Sequence, residues 1–157
     1  MSALLRALAR VFMRVWFPQV RQLPPAQLAA WLADSSRPQP LLLDVRQPEE
    51  FAVSHLAGAR RVEFSDAAKA VLENVPTTQP IVCYCAAGFR SSVMAKRLAR
   101  AGHREVFNLE GAIFDWASEG RPLVCADQPT REVHPFNWLG RLLLPRGVRA
   151  SAPSLRH

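Results

Sequence analysis

Apolar positions fall into short blocks separated by longer stretches of helical period, and the two alternate along most of the chain. Val20-Arg21-Gln22-Leu23 reads as a first strand, and Pro24-Pro25 opens a helix, AQLAAWLADSS. Leu41–Val45 is a second, buried strand, and Pro48 starts a short helix over Glu49–Ser54. Arg60–Phe64 is a third strand, followed by a helix over Asp66–Asn74. Ile81, Val82, Cys83 and Tyr84 form a fourth strand, apolar throughout as buried parallel strands are. The helix after it carries Met94, Leu98 and Ala101 on one face and Lys96 and Arg100 on the other. Glu105–Leu109 is a fifth strand, and Ala112–Ser118 a closing helix. Strands alternating with helices predict an α/β fold: a parallel five-stranded sheet with right-handed crossovers and helices on both faces.

The ends depart from this pattern. Leu4, Leu8, Val11 and Val15 recur at helical spacing with Arg6, Arg10 and Arg14 opposite, and Pro18 closes the segment. The segment is too short and too charged to span a bilayer, which takes about 20 apolar residues. After Pro122 the alternation stops. Pro135–Leu144 is an apolar segment that predicts a short helix, and Pro145–His157 is expected to lack structure. Three segments result: a basic amphipathic helix over 1–18, an α/β domain over 19–125, and a basic extension over 126–157.

Net charge changes the picture only once it is located. The chain of 157 residues carries +7. Residues 1–21 hold four arginines and no acid, as do residues 133–157. Those eight leave twelve basic and thirteen acidic residues between them, so the basicity belongs to the ends. An Arg-backed amphipathic helix at 1–17 suits an anionic membrane surface, or it packs back on the domain. An acid-free, Arg-rich start also resembles a mitochondrial transit peptide. The basic segments offer aliphatic faces instead of aromatic stacking platforms, which argues against nucleic acid. Cys83, Cys85 and Cys125 are too few for a disulfide framework and fit a reducing compartment, which points to the cytoplasm.

The chemistry concentrates at Cys85. It follows the fourth strand directly and is succeeded by Ala86-Ala87-Gly88-Phe89-Arg90-Ser91-Ser92. A short glycine-bearing loop feeding a helix can turn several N–H groups inward as an anion nest. The positive end of the helix dipole adds to this and favours the thiolate, the nucleophilic form of cysteine. Ser91 or Ser92 is placed to cap the helix, and Gly102 to end it. Cys83, two residues earlier on the strand, reads as core; a rarer role is to resolve an oxidised Cys85.

The segment from Cys85 to Ser92 resembles the active-site loop of single-domain rhodaneses, sulfurtransferases that carry sulfur as a cysteine persulfide. Leu43-Asp44-Val45-Arg46, Glu50-Phe51 and Ser54-His55-Leu56-Ala57-Gly58-Ala59 are similar to that family's upstream signature. Leu109-Glu110-Gly111, Trp116, Gly120 and Pro122 are similar to its closing segment, so the resemblance spans roughly residues 19–124. Ser54 and Ala112 stand where the family commonly has glycine. The resemblance implies a rhodanese-like fold with Cys85 as nucleophile, no cofactor and no metal. The donor would be a small anion such as thiosulfate, and the acceptor a thiol or a protein. Arg90 would grip the donor, with Ala86, Ala87, Gly88, Phe89 and Ser91 lining the nest. Asp44, Arg46, Glu50 and His55 read as support; Arg46 and Glu50, four apart, are expected to pair. A phosphatase would have five residues between its cysteine and arginine, whereas four intervene here. Cys83, Cys85, Cys125, His55 and His103 lack zinc-type spacing. A reading of another class is a membrane-peripheral or partner-binding module whose persulfide chemistry is weak or dedicated to one acceptor.

Overall fold

Each predicted strand except the third keeps its place to within a residue, because each is an apolar block bounded by proline, glycine or charge. The structure, a computed structural model, describes residues 2–64, 73–136 and 138–150. Its strands are β1 (Arg21–Leu23), β2 (Leu41–Asp44), β3 (Arg60–Arg61), β4 (Ile81–Tyr84) and β5 (Val106–Leu109). They form one five-stranded sheet in the order β1-β5-β4-β2-β3. Every neighbouring pair is parallel, and β4 lies at the centre with Leu43 opposite Cys83 and Cys83 opposite Asn108. The third strand was expected over residues 60–64 but holds only two residues at the sheet's edge. The helix expected over 66–74 falls mostly outside the described residues.

Alternation along β4 divides the core. Val82 and Tyr84 point into a cluster with Leu28 and Trp31 of α2 (Pro25–Ala33) and Ile113 and Phe114 of α5 (Ala112–Ser118). Ile81 and Cys83 point the other way, against Met94 and Leu98 of α4 (Phe89–Arg100). The sheet is therefore covered on both faces, as a fully apolar central strand requires.

Helix ends follow local chemistry. The short α3 (Pro48–Val53) begins with proline, and Glu50 turns back to accept the Gln47 N–H at 3.0 Å. At the end of α4, Gly102 (φ +101°) takes the left-handed conformation. Its N–H donates to Ala99 O at 3.1 Å and that of His103 to Leu98 O at 3.2 Å, which completes a Schellman motif. The start of α4 departs from expectation: Gly88 occupies the cap position, also left-handed, with no side-chain cap. Ser91 and Ser92 sit inside the helix, fully buried, because Gly88 takes the cap position three residues before Ser91.

The ends are also built. The N-terminal helix α1 (Ser2–Trp16) lies over loops at the carboxyl ends of the strands. Arg6 and Arg10 approach Asp115 at 2.9 and 3.5 Å, and Arg14 reaches Glu110, just beyond β5, at 2.6 Å. Burial pushes the Asp115 carboxyl above its ordinary value, against the pull of Arg10 and Arg6. Beyond Pro122 an unforeseen hairpin pairs β6 (Leu123–Cys125) with β7 (Gln128–Thr130). Its turn residues Ala126 (φ +45°) and Asp127 (φ +63°) are both left-handed, yet they lack the Asn-Gly or Asp-Gly signal that announces such turns. The expected short helix appears as α6 (Trp138–Leu143). Lack of structure from Pro145 onward does not hold for 145–150. A turn of 3₁₀ helix, Arg146–Val148, leads to Arg149, whose backbone bridges Val133, and Leu144 is fully buried.

Gly111 and Gly102 offer a paired test of backbone constraint. Both have positive φ, but a Cβ on Gly111 (φ +67°) would collide with the Asp115 carboxylate, whereas one on Gly102 would meet open space. Gly102→Ala should cost about 1–2 kcal/mol, the left-handed penalty alone. Gly111→Ala should cost clearly more, because Asp115 is also displaced from Arg6 and Arg10. Urea denaturation of both variants measures the difference, and equal losses would contradict the close approach at Gly111.

Candidate functional site

Cys85 leaves the carboxyl end of the central strand, where parallel sheets present ligand sites. Its side chain is buried, with the residue 2% exposed. The Gly88 N–H donates to its Sγ at 3.1 Å, and the Ser91 hydroxyl lies 3.4 Å away. That hydroxyl is also 3.2 Å from Gly88 O, so its one proton serves either acceptor. Gly88 can aim its N–H back at the sulfur because its φ of +114° is open to glycine at little steric cost.

The loop's outer edge is held by the next helix. The Ile113 N–H donates to Cys85 O and the Phe114 N–H to Ala86 O, both at 3.2 Å. These donors come from the first turn of α5, whose N–H groups have no partner within the helix. Gly111 and Ala112 reach that position through consecutive positive φ values, +67° and +51°. Ala112 thus adopts a conformation glycine would take more easily, which gives this departure from the family pattern a physical meaning. Ser54, the other departure, has φ −171°, extended backbone open to any residue.

Arg90 stands two residues beyond Gly88, in the first turn of α4. Its guanidinium forks onto Glu50, Nη1 to Oε2 at 3.0 Å and Nη2 to Oε1 at 3.1 Å. Burial works against its charge, but the Glu50 hydrogen bonds and the nearby Cys85 outweigh that and raise its pKa. The ring of Phe136 lies 4.6 Å from the guanidinium carbon. Phe136 itself has φ +62°, a strained value for a bulky residue. Sequence reasoning missed this aromatic, since nothing local marks a residue 46 positions from its partner.

The expected Arg46–Glu50 pair does not form. Arg46 precedes Pro48 and so lies outside α3, where the four-residue rule applies. It instead grips Asp44, Nε to Oδ1 at 2.9 Å and Nη2 to Oδ2 at 2.6 Å, and donates to Ser54 O at 2.6 Å. Both partners are fully buried beneath the site. Burial opposes the Arg46 charge, yet the hydrogen bonds and charge of Asp44 raise its pKa overall. Glu50, freed from Arg46, joins the start of α3 to Arg90.

The remaining expected residues occupy separate places. His55 stacks on Phe51 with centroids 3.8 Å apart, its Nδ1 lies 3.1 Å from Phe51 O, and its backbone bridges Val124. Its contacts are with Phe51 and Val124, and among the described residues no hydrogen bond joins it to Cys85. Cys83 is fully buried among aliphatic side chains, and burial, reinforced by Cys85, pushes its thiol far above the ordinary range. Ala86 is buried, Ala87 partly so, and Phe89 is exposed at the rim, where its ring meets Phe17 edge-on at 5.5 Å. Met13 of α1 lies against Gly88 from behind, 3.6 Å from where a Cβ would stand. Neither the Phe17 nor the Met13 contact was visible in the pattern of residues.

Comparison with known proteins bears on the family and the fold. Residues 25–119 match the rhodanese-like domain family. The chain is 30% identical over 108 residues to a protein of Allochromatium vinosum named sulfurtransferase, covering 69% of this chain and 98% of that one. It is 35% identical over 78 residues to the uncharacterized protein YqhL of Bacillus subtilis, covering 50% of this chain and 61% of that one. It is 33% identical over 99 residues to the probable adenylyltransferase/sulfurtransferase MoeZ of Mycobacterium tuberculosis, covering 62% of this chain and 25% of that longer protein. Among solved structures, a rhodanese-related protein of Thermoplasma volcanium superposes with TM-score 0.58 at 25% identity, over 67% of this chain and 98% of that one. A rhodanese-like domain protein of Staphylococcus aureus gives TM-score 0.59 at 23% identity, over 69% and 100%, a likeness of fold. With its parallel sheet, its cysteine loop and a family match over most of its length, the chain belongs to the rhodanese-like domain family.

Proposed function

We propose that the chain is a sulfurtransferase that carries sulfane sulfur on Cys85. The observation that carries the reading is the Gly88 N–H aimed at Cys85 Sγ at the start of α4, with Arg90 beside it. The Cys85 thiolate attacks the outer sulfur of thiosulfate; the bond between the two sulfur atoms breaks, and sulfite leaves with its electron pair. The product is a Cys85 persulfide anion, which an acceptor thiolate then attacks at the terminal sulfur, regenerating the Cys85 thiolate. Two half-reactions through one enzyme-bound intermediate give ping-pong kinetics.

Each nearby group has a part in that cycle. Inward N–H groups between Ala86 and Ser91 receive the negative terminal sulfur, as an oxyanion hole receives oxygen. Arg90, already fixed by Glu50, presents its remaining N–H donors to the sulfonate oxygens of the donor. His55 takes no part, since a thiolate needs no general base. The names of the Allochromatium and Mycobacterium relatives support the same reaction class. The cytoplasm, with its abundant thiol acceptors, is the compartment this chemistry suits.

Mass spectrometry of the intact chain after incubation with thiosulfate should show one added sulfur, located on the Cys85 peptide. Cys85→Ala should abolish both the adduct and turnover, while Cys83→Ala retains them. Turnover by Cys85→Ala would assign the nucleophile elsewhere.

Arg90→Ala should raise the KM for thiosulfate by about tenfold or more, the loss of one charge-assisted contact. The effect on an alkane thiosulfonate, a monoanion, should be smaller, and Arg90→Lys should recover part of the loss. Equal losses for both donors, without recovery by lysine, would mean that Arg90 organises the loop instead of holding substrate.

A further inference from the structure

The orientation of α1 is the reverse of what an amphipathic helix on a soluble domain adopts. Its arginine row faces the domain. Arg6 Nε lies 2.9 Å from Asp115 and its Nη1 donates to Leu143 O at 3.1 Å, while Arg10 and Arg14 reach Asp115 and Glu110. Its apolar row faces outward: Leu4, Leu8, Val11, Phe12, Val15 and Trp16 are each between 46% and 72% exposed. Leu142 and Arg141, on the neighbouring α6, are also exposed. Exposed apolar residues scattered singly are ordinary, but six on one ridge of one helix leave a contiguous surface that favours being covered.

We propose that this ridge lies in the interface of an anionic lipid bilayer, with α1 parallel to the membrane plane. Three observations select that occupant over a second copy of the chain. The ridge is convex and belongs to one helix of 15 residues, about 22 Å long. Its six apolar residues are far fewer than the roughly 20–30 that each partner gives to a stable protein interface. Pairing two copies would also bring together the flanking Arg10 and Arg14, which stay partly exposed within their ion pairs; with Arg6 and Arg141 they outnumber the two acids, Asp115 and Glu110, and leave net positive charge beside the ridge. Anionic headgroups supply the missing charge. Phe12 and Trp16 stack at 5.2 Å near one end of the ridge, and aromatic side chains of this kind settle at the headgroup–acyl boundary.

The inward arginines give the ridge its rigidity. A free amphipathic helix must fold as it binds, whereas α1 is already fixed by three ion pairs and presents its apolar side without rearrangement. No helix among the described residues is long and apolar enough to cross a membrane, so the contact is with one surface. Met13, on the inner side of α1, touches the cysteine loop at Gly88. Docking therefore holds that loop about one helix diameter, roughly 10 Å, from the lipid surface. The inference stands on the surface alone and is independent of the sulfur chemistry.

The test is flotation of the full chain with vesicles of phosphatidylcholine alone and of phosphatidylcholine with phosphatidylglycerol. The wild type should float with the anionic vesicles, and Leu8→Asp/Val11→Asp should lower the bound fraction by about tenfold or more. Both replaced residues are exposed, so the melting temperature should be retained. Trp16→Ser, a milder change, should give an intermediate loss. Absence of flotation by the wild type would overturn the proposal, as would equal flotation of the double variant. Equal binding to neutral vesicles would overturn the assignment of an anionic headgroup. A wild-type dimer in sedimentation, dissolved by the double variant, would give the ridge to a second copy.

Discussion

The structure depends on which way the peptide groups of one loop point. Between Tyr84 and Phe89 the chain must turn from a buried strand into a helix, with little side chain available to fix its path. The Cys85 and Ala86 carbonyls are drawn outward by the Ile113 and Phe114 N–H groups of α5. With its carbonyls so occupied, the loop curls back on the sulfur, and left-handed Gly88 completes the curl with its N–H 3.1 Å from Sγ. The start of α5 is thus as much a part of the site as the start of α4. Two consecutive positive φ values at Gly111 and Ala112 are what bring it there.

Two ion pairs hold the floor and wall around that loop, in different ways. Asp44 and Arg46 are both fully buried, and a pair so placed is strongly destabilising to break, since the survivor is left as an isolated charge. Tyr84 Oη, next to this pair, accepts the Leu56 N–H at 3.1 Å and ties the strand end to the segment after α3. Glu50 has a double duty: it accepts the Gln47 N–H at the start of α3 and both Arg90 donors. Arg90 is therefore pre-oriented, which under the proposed function leaves less side-chain entropy to be lost on binding an anionic donor. Phe136 shields one side of the same guanidinium, which strengthens its electrostatics by excluding water.

The N-terminal helix connects this site to the outside of the molecule. Ion pairs normally decorate the solvent face of a helix, where they are worth little. Here Arg6 lies against a largely buried Asp115, and the helix gains a fixed rotation about its axis. That rotation puts Met13 against Gly88 and Phe17 against Phe89, and it leaves Leu8, Val11 and Trp16 facing away.

By itself the sequence determined the order of strands and helices, the parallel sheet, the position of Cys85 after the central strand and the burial of Cys83. Each of these follows from period and punctuation within a dozen residues, where backbone propensity and apolar burial act locally. Only the tertiary structure decided the partners. Arg46 chose Asp44 over Glu50 because Pro48 starts the helix after it, and Glu50 then met Arg90, 40 residues away. The hairpin after Pro122 turns on Ala126 and Asp127, residues with no strong preference for the conformation they hold. The rotation of α1 was undecidable for the same reason: both of its faces can be stabilised, and Asp115 and Glu110, about a hundred residues on, selected the charged one. Ion pairing across such separations depends on where folding brings each group, and no local pattern encodes it.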